Sequence, residues 1–131
     1  MLFINLAVQD LTASRDFYGA LGFSFNEHSS DESTVAVVLD DDIALMLRTR
    51  DRFADLVAGE VGTAGSGTTS VHSLTVDSRG EVDDLVARAL ARGGRSWLPT
   101  REDASSYTGS FTDPDGHVWE MTCMEPLHVI D

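Results

Sequence analysis

Weak internal repetition places the strongest constraint on the fold of this chain. When the sequence is displaced so that Asn5 falls on Ser73, two short apolar strand patterns superpose, and Asp16 falls on Asp84. A repeating unit of this kind is a supersecondary element that buries its apolar side against a neighbouring copy. We therefore expect two similar modules within the chain.

Each copy continues into a segment with helical periodicity. Apolar side chains form one stripe along each segment, and glycine follows each stripe, at Gly22 and at Gly93 and Gly94, where a helix commonly ends. The second segment also has capping-box spacing, from Ser78 to Glu81. The stripes consist of Ala13, Phe17, Ala20 and Leu21 in the first copy and Val82, Leu85, Val86, Ala89 and Leu90 in the second.

Short strand-like runs follow each predicted helix. In each module, turn-forming residues separate the last two runs. They are three aspartates at residues 40–42 in the first module and residues 113–116 in the second, where a proline and a glycine favour a reversal. Each module is therefore predicted to be β-α-β-β-β, and the fold class to be α+β. The runs cover residues 23–26, 34–39, 43–48, 95–98, 108–112 and 118–123.

A length of 131 residues fits a single domain. We expect the first module at about residues 1–58, ending in a short helix at 51–58, and the second at about residues 70–125. Between them, residues 59–69 are rich in glycine and form a predicted linker. Residues 126–131 are expected to be a C-terminal tail.

The charge balance excludes several classes of partner. The chain has 22 acidic and 9 basic residues, none of them lysine, and a formal net charge of −13. Nucleic acids and anionic membrane surfaces are bound by clustered basic residues, so neither is an expected partner. The N-terminus lacks the features of an export signal, and the lone Cys123 cannot form an internal disulfide. These features predict a cytoplasmic protein.

Two motifs near the ends of the chain resemble a known family. They are NLxVxDLxxSxxFYxxLGF, from Asn5 to Phe23, and FxDPDGHxWE, from Phe111 to Glu120. With the duplicated β-α-β-β-β pattern they resemble the vicinal oxygen chelate superfamily, which includes glyoxalase I, bleomycin-resistance proteins and extradiol dioxygenases. Within it, the chain is most similar to a branch of uncharacterised glyoxalase-like proteins. The resemblance implies two modules whose sheets curl around a shared concave cleft, and a homodimer.

The resemblance also implies four positions that face the cleft, where metal enzymes of the superfamily carry His, Gln or Glu. Carried over to this sequence, they fall on Phe3, Met46, Val71 and Glu120. Only Glu120 is a ligand for a divalent ion, whereas a catalytic zinc or nickel site keeps three or four protein ligands. We therefore expect neither a metal ion nor another cofactor.

Two histidines lie close to these positions, His72 beside Val71 and His117 before Glu120. Because successive side chains of a strand point to opposite faces, both histidines are expected to face away from the cleft. His72 would then pack beneath a helix or form a hydrogen bond near the outer side of the sheet, unless a bulge precedes it. No nucleophile and base have the spacing of a catalytic pair, so no catalytic residue is predicted.

Glu120 is expected among apolar neighbours, where burial without a partner would raise its pKa. Three arrangements are open. Glu120 pairs with Arg48, which has the same strand parity as Met46; it binds a basic or hydrogen-bonding ligand; or it acts as an acid or base in a reaction.

The sequence thus predicts a small-molecule binding protein of the glyoxalase/bleomycin-resistance type that holds an organic ligand in an apolar cleft without a catalytic metal. Its acidic charge would attract cationic drugs. The alternative is a glyoxalase-like lyase or isomerase that uses Glu120 as acid/base or metal ligand. The predicted ligand-binding residues are Phe3, Asn5, Met46, Arg48, Val71, Trp97, Tyr107 and Glu120.

Overall fold

A computed structural model describes residues 1–124; the predicted tail at 126–131 lies outside the described residues. The α+β class is confirmed, with helices and two separate sheets. Contacts divide the chain into two compact units, Met1–Thr63 and Ala64–Asp131. The boundary falls inside the predicted linker.

The first unit has the predicted order of elements. Its strands are β1 (Leu2–Val8), β2 (Ser24–Phe25), β3 (Thr34–Asp40) and β4 (Ile43–Thr49), and its helices are α1 (Leu11–Ala20) and α2 (Arg50–Ala54). The sheet order is β1-β4-β3-β2. Strands β1 and β4 are parallel, and the other neighbours are antiparallel.

Helix α1 covers one face of the first sheet. Asp10 is its N-cap residue, and the Asp10 carboxylate accepts a 3.1 Å hydrogen bond from the backbone nitrogen of Ala13. The helix is followed by Gly22, whose φ of 98° lies in the left-handed region, as the sequence pattern predicts. An added Cβ at Gly19 would lie 3.5 Å from the Phe25 ring, so α1 packs on the sheet face that carries Phe25.

The second unit repeats the arrangement with one addition. Its elements are β5 (Val71–Val76), α3 (Arg79–Ala91), β6 (Arg95–Ser96), β7 (Arg101–Glu102), β8 (Ser106–Thr112) and β9 (Val118–Met124). The sheet order is β5-β9-β8-β6, and β7 also pairs with β8. Strands β5 and β9 are parallel, like β1 and β4 in the first unit.

Helix α3 packs closely on the second sheet. The predicted capping pair forms, because Ser78 Oγ accepts a 3.1 Å hydrogen bond from the Glu81 nitrogen. A Cβ at Gly109 of β8 would lie 2.8 Å from Val86 and 3.0 Å from Val82, which identifies the sheet face against α3. Only a residue without a side chain permits this approach of helix and strand.

Each sheet therefore has a second face on the side opposite its α-helix. We call these the Met46 face, in the first unit, and the Glu120 face, in the second. The Met46 face carries Phe3, Asn5, Thr34, Ala36, Val38, Ala44, Met46 and Arg48, and the Glu120 face carries Val71, Ser73, Thr75, Thr108, Ser110, Thr112, Val118, Glu120 and Thr122.

Several boundaries differ from those predicted. The helix expected at residues 51–58 is confined to α2, and the strand expected at 95–98 is reduced to β6. Strand β7 was not predicted. The turn at residues 113–116 is confirmed: Asp113 is buried, and its carboxylate accepts hydrogen bonds from the backbone nitrogens of Asp115 and His117. Across residues 1–124, every helix is too short or too polar to cross a membrane.

Candidate ligand-binding site

The centre of the Met46 face is apolar and lies out of solvent. Ala36 of β3 and Ala44 and Met46 of β4 form one buried cluster, each less than a tenth exposed. They are neighbours because Ala36 pairs with Met46 across the antiparallel strands and Ala44 precedes Met46 by two positions on the same face. Small side chains at two of the three positions leave space above the sheet.

That space is a pocket of about 220 Å³ within the first unit. Its wall includes Phe3, a bulky side chain that is 55% exposed. Two carboxylates also line it, those of Asp40, the last residue of β3, and of Asp41 in the turn that follows. The complete lining is Met1, Phe3, Asn26, Ser29, Ala36, Val38, Asp40, Asp41, Ile43, Ala44 and Met46.

The segment after β2 forms another wall of the pocket and is held by hydrogen bonds to β3. The Asn26 nitrogen donates to the Ala36 carbonyl at 2.9 Å, which extends the ladder beyond β2. Ser30 Oγ accepts from the Ala36 nitrogen at 3.0 Å and donates to the Asn26 carbonyl at 2.7 Å. These contacts give the pocket a fixed wall on the side of the lining residues Asn26 and Ser29.

Arg48 lies farther along β4 on the Met46 face and is partly buried. Its Nε donates a 2.7 Å hydrogen bond to Asn5 Oδ1, and its Nη1 donates a 3.2 Å hydrogen bond to Thr34 Oγ1. Asn5 and Arg48, both predicted from strand parity, are thus brought together. Thr34 was not predicted, although its pairing with Arg48 follows once the register of β3 and β4 is known.

Glu120 belongs to a different network, within the second unit. Its Oε1 accepts a 2.6 Å hydrogen bond from Ser73 Oγ, and its Oε2 lies 3.3 Å from Nη2 of Arg101. Its side chain is 26% exposed, and hydroxyl-bearing residues surround it on the Glu120 face. Both carboxylate oxygens therefore have partners without a metal ion or a ligand. Sequence reasoning missed both Ser73 and Arg101 as partners.

The other predicted residues of the second unit do not gather around Glu120. Val71 stands at the exposed edge strand of the Glu120 face, and Trp97 is 44% exposed in the segment after β6. Tyr107 pairs with Cys123 and so lies on the face against α3, where its hydroxyl donates a 2.6 Å hydrogen bond to Asp83. This bond to a carboxylate raises the pKa of Tyr107. Tyr107, one of the predicted ligand-binding residues, therefore lies on the opposite face of the sheet from Glu120.

His72 faces away from Glu120, as strand alternation predicts. Its ring lies 4.9 Å from that of Trp119, its partner across β9, and its Nδ1 is buried with no hydrogen-bond partner among the described residues. Burial lowers the pKa of His72, and the nearby His117 also lowers it. A hydrogen bond with the Val118 backbone and the charge of Asp113 have the opposite, smaller effect on this pKa. An imidazole in this position is a packing residue.

The donor set does not fit the metal site that the family resemblance implies. Of the four corresponding positions, Phe3 and Val71 have hydrocarbon side chains, Met46 offers only a thioether, and Glu120 is engaged by its neighbours. Across residues 1–124, no three His, Cys, Asp or Glu side chains are grouped so as to hold a metal ion. A site of one carboxylate falls short of the ligand count of zinc and related ions.

Comparisons with known proteins agree with this fold. A family model described as the glyoxalase/bleomycin resistance protein/dioxygenase superfamily matches residues 1–121. A hypothetical protein from S. aureus is 28% identical, with 94% of this chain and 92% of that chain covered and a TM-score of 0.81. A glyoxalase-related enzyme from Fulvimarina pelagi is 25% identical, with 94% and 86% covered and a TM-score of 0.80.

A further solved structure has the same fold at lower identity. It is a glyoxalase/bleomycin resistance protein/dioxygenase family enzyme from Burkholderia phytofirmans, 19% identical, with 93% of this chain and 96% of that chain covered and a TM-score of 0.77. No curated protein matches the chain.

Proposed function

Because the chain belongs to the glyoxalase/bleomycin resistance protein/dioxygenase superfamily, we propose that it binds a small organic molecule, and that it does so in the pocket on the Met46 face without a metal ion. The observation that carries the proposal is the pocket itself, whose floor of Ala36, Ala44 and Met46 is apolar and buried. Concave, largely apolar sites with a few polar groups at the edge are typical of small-molecule binding.

The volume of the pocket defines the size of the occupant. An apolar cavity of about 150 Å³ holds a benzene molecule, so a pocket of about 220 Å³ accepts one aromatic ring with a short substituent. Phe3, exposed at the wall, offers a ring face for stacking. We expect the buried part of the ligand to be a single ring or a branched hydrocarbon of similar size.

The edge of the pocket favours a cationic group. Asp40 and Asp41 both line it, and the chain as a whole carries a net charge of −13, which steers cations toward the protein. A ligand with an ammonium group near these carboxylates gains a local interaction in addition to the general attraction. This extends the role expected from sequence, that of sequestering cationic drugs.

The experiment uses two probes with the same ring and chain, 3-phenylpropylamine and 3-phenylpropan-1-ol, in thermal-shift and calorimetric titrations. A ligand at about 100 times its Kd stabilises the folded protein by about 2.7 kcal/mol. Ala44→Leu fills the floor of the pocket and is expected to abolish binding of both probes. Ala91→Leu, on the exposed end of α3, is the matched control and leaves binding unchanged.

The carboxylates are tested by a second matched pair. Asp41→Asn is expected to weaken the amine and spare the alcohol, whereas Asp42→Asn changes the net charge equally at a neighbouring residue that does not line the pocket. An equal effect of both variants would mean that only long-range attraction operates. Binding that survives Ala44→Leu would place the ligand elsewhere and refute the proposal.

A further inference from the structure

Among the described residues, Arg48 and Arg50 donate hydrogen bonds only to neutral oxygens, but Arg50 donates to the backbone carbonyls of Val61 and Gly62 whereas Arg48 donates to two side chains. Within the described part of the chain, five other arginines form ion pairs with carboxylates, and these are Arg15, Arg52, Arg79, Arg88 and Arg101. Arg48 is held by an amide oxygen and a hydroxyl oxygen, those of Asn5 and Thr34. Within residues 1–124 no carboxylate is paired with it, although the chain has 22 acidic residues.

The hydrogen bonds of Arg48 fix the plane of its guanidinium group and use only some of its N–H donors. The Nε and one Nη1 hydrogen are used by Asn5 and Thr34, and the Nη2 amino group has no acceptor among the described residues. A guanidinium has five donors in a planar fork that matches the geometry of a carboxylate. A partly buried cation is stabilised most strongly when such donors are satisfied by an anion.

Arg48 does not line the pocket, but it follows the lining residue Met46 along β4. Met46, on the pocket floor, precedes Arg48 by two residues on β4, so both side chains stand on the Met46 face. Two residues of a strand advance by about 6.6 Å, which a short ligand chain can span. Asp40, at the end of β3, and Asp41, in the turn before β4, line the pocket on the side away from Arg48 along β4.

From this arrangement we infer that Arg48 is the anion-binding part of the ligand site, and that the ligand is an organic carboxylate whose apolar body rests over Ala44 and Met46. The inference rests on the proposed function and adds the chemical class of the ligand. A carboxylate accepts hydrogen bonds from the Arg48 fork at one end of the pocket. A cationic group on the same ligand fits the aspartates at the other end, so a zwitterion satisfies both.

The test compares 3-phenylpropionate with 3-phenylpropan-1-ol, two probes that differ only in the anionic group. Arg48→Met is expected to weaken propionate binding about tenfold or more and to change alcohol binding by less than about twofold, since a charge-assisted hydrogen bond is lost only for the anion. Arg95→Met removes the same charge from an exposed position in the second unit and is expected to affect neither probe. Arg48→Lys keeps the charge without the planar fork, and it is expected to retain part of the preference for the propionate over the alcohol. It serves as the test variant if Arg48→Met fails to fold.

The outcomes separate this inference from the proposed function. If Ala44→Leu abolishes binding of the alcohol but neither Arg48 variant weakens binding of the propionate, the anion site is refuted. The proposed pocket is then still supported. Failure of 3-phenylpropionate alone to bind the wild-type protein overturns the anion site, and failure of both probes to bind overturns the proposed function as well. Equal losses in Arg48→Met and Arg95→Met show a general charge effect and also refute the role of Arg48.

Discussion

Ser73 and Glu120 face each other across the parallel strands β5 and β9, and the serine hydroxyl donates a 2.6 Å hydrogen bond to the glutamate carboxylate. The other carboxylate oxygen is paired with Arg101. Glu120 is therefore satisfied by its own unit, and its position in the C-terminal motif has a structural explanation that requires neither a metal ion nor a reaction.

Glu120→Gln is expected to lower the free energy of unfolding by about 1–2 kcal/mol, because hydrogen bonds to a charged group contribute about 1.5–3 kcal/mol when well buried. The amide also turns a donor toward either Ser73 or Arg101. Urea denaturation measures the change. Arg101→Met is expected to cost less than about 1 kcal/mol, since an exposed ion pair is screened by solvent. A neutral effect of Glu120→Gln would contradict the assigned network.

Added metal is expected to leave the protein unchanged. The four positions that correspond to metal ligands in related enzymes provide one carboxylate, and that carboxylate has two partners. Equimolar Zn²⁺ or Ni²⁺ should therefore not raise the Tm, and metal analysis after dialysis should find no stoichiometric ion. Stoichiometric binding that Glu120→Gln removes would overturn this account.

Gly109→Ala is expected to destabilise the second unit by about 1–3 kcal/mol, the usual range for overpacking. The new methyl group would lie 2.8 Å from Val86 and 3.0 Å from Val82, so α3 must shift from the sheet. Gly62→Ala is the matched control, because no atom lies within 4 Å of its added Cβ, and it should change stability by less than about 0.5 kcal/mol. Chemical denaturation of both variants decides the point.

Stability is expected to fall as the pH is lowered below about 6.5, the ordinary pKa of histidine. Burial lowers the pKa of His72 in the folded state, so the unfolded chain binds the proton more tightly. The contribution of His72 is complete above pH 6.5 and is lost as the pH falls toward its folded pKa. Denaturation at pH 7.5 and pH 5.5 measures this loss.

His72→Phe keeps an aromatic ring against Trp119 and removes the titrating group. It should therefore reduce the difference in stability between the two pH values, whereas His28→Phe, at an exposed position, should not. His117 and Asp113 also act on the pKa of His72, and a double variant with His117→Asn measures the part that depends on this neighbour. An unchanged difference in His72→Phe would assign the effect to other groups.

The repeat and the helix-capping residues predicted the main elements of the fold. Gly22 and Ser78 act at the helix termini where their sequence context placed them, because caps depend on local backbone geometry. Strand β7 has two residues, too few for any periodicity, so Arg101 could not be recognised as the partner of Glu120.

Part of the candidate site was predictable, Phe3 and Met46 from the family resemblance and two further residues from strand parity. Asn5 and Arg48 follow from parity along β1 and β4, and the structure brings them together. The side of the sheet on which Tyr107 lies depends on the register between β8 and β9, which single-strand patterns do not contain. Ala36 and Ala44 were not predicted as site residues. Small side chains form a pocket floor by leaving volume empty, and that volume is visible only once the neighbouring strands are in place.

The parallel pairing of the first and last strands in each unit has a consequence for synthesis. Leu2 pairs with Ile43 and Val71 with Val118, so each sheet joins segments far apart along the chain. Such non-local contacts form slowly, since the intervening loop must close before they contribute any stabilisation. A nascent chain in which β4 has not yet been made therefore leaves the apolar side of β1 without its partner strand.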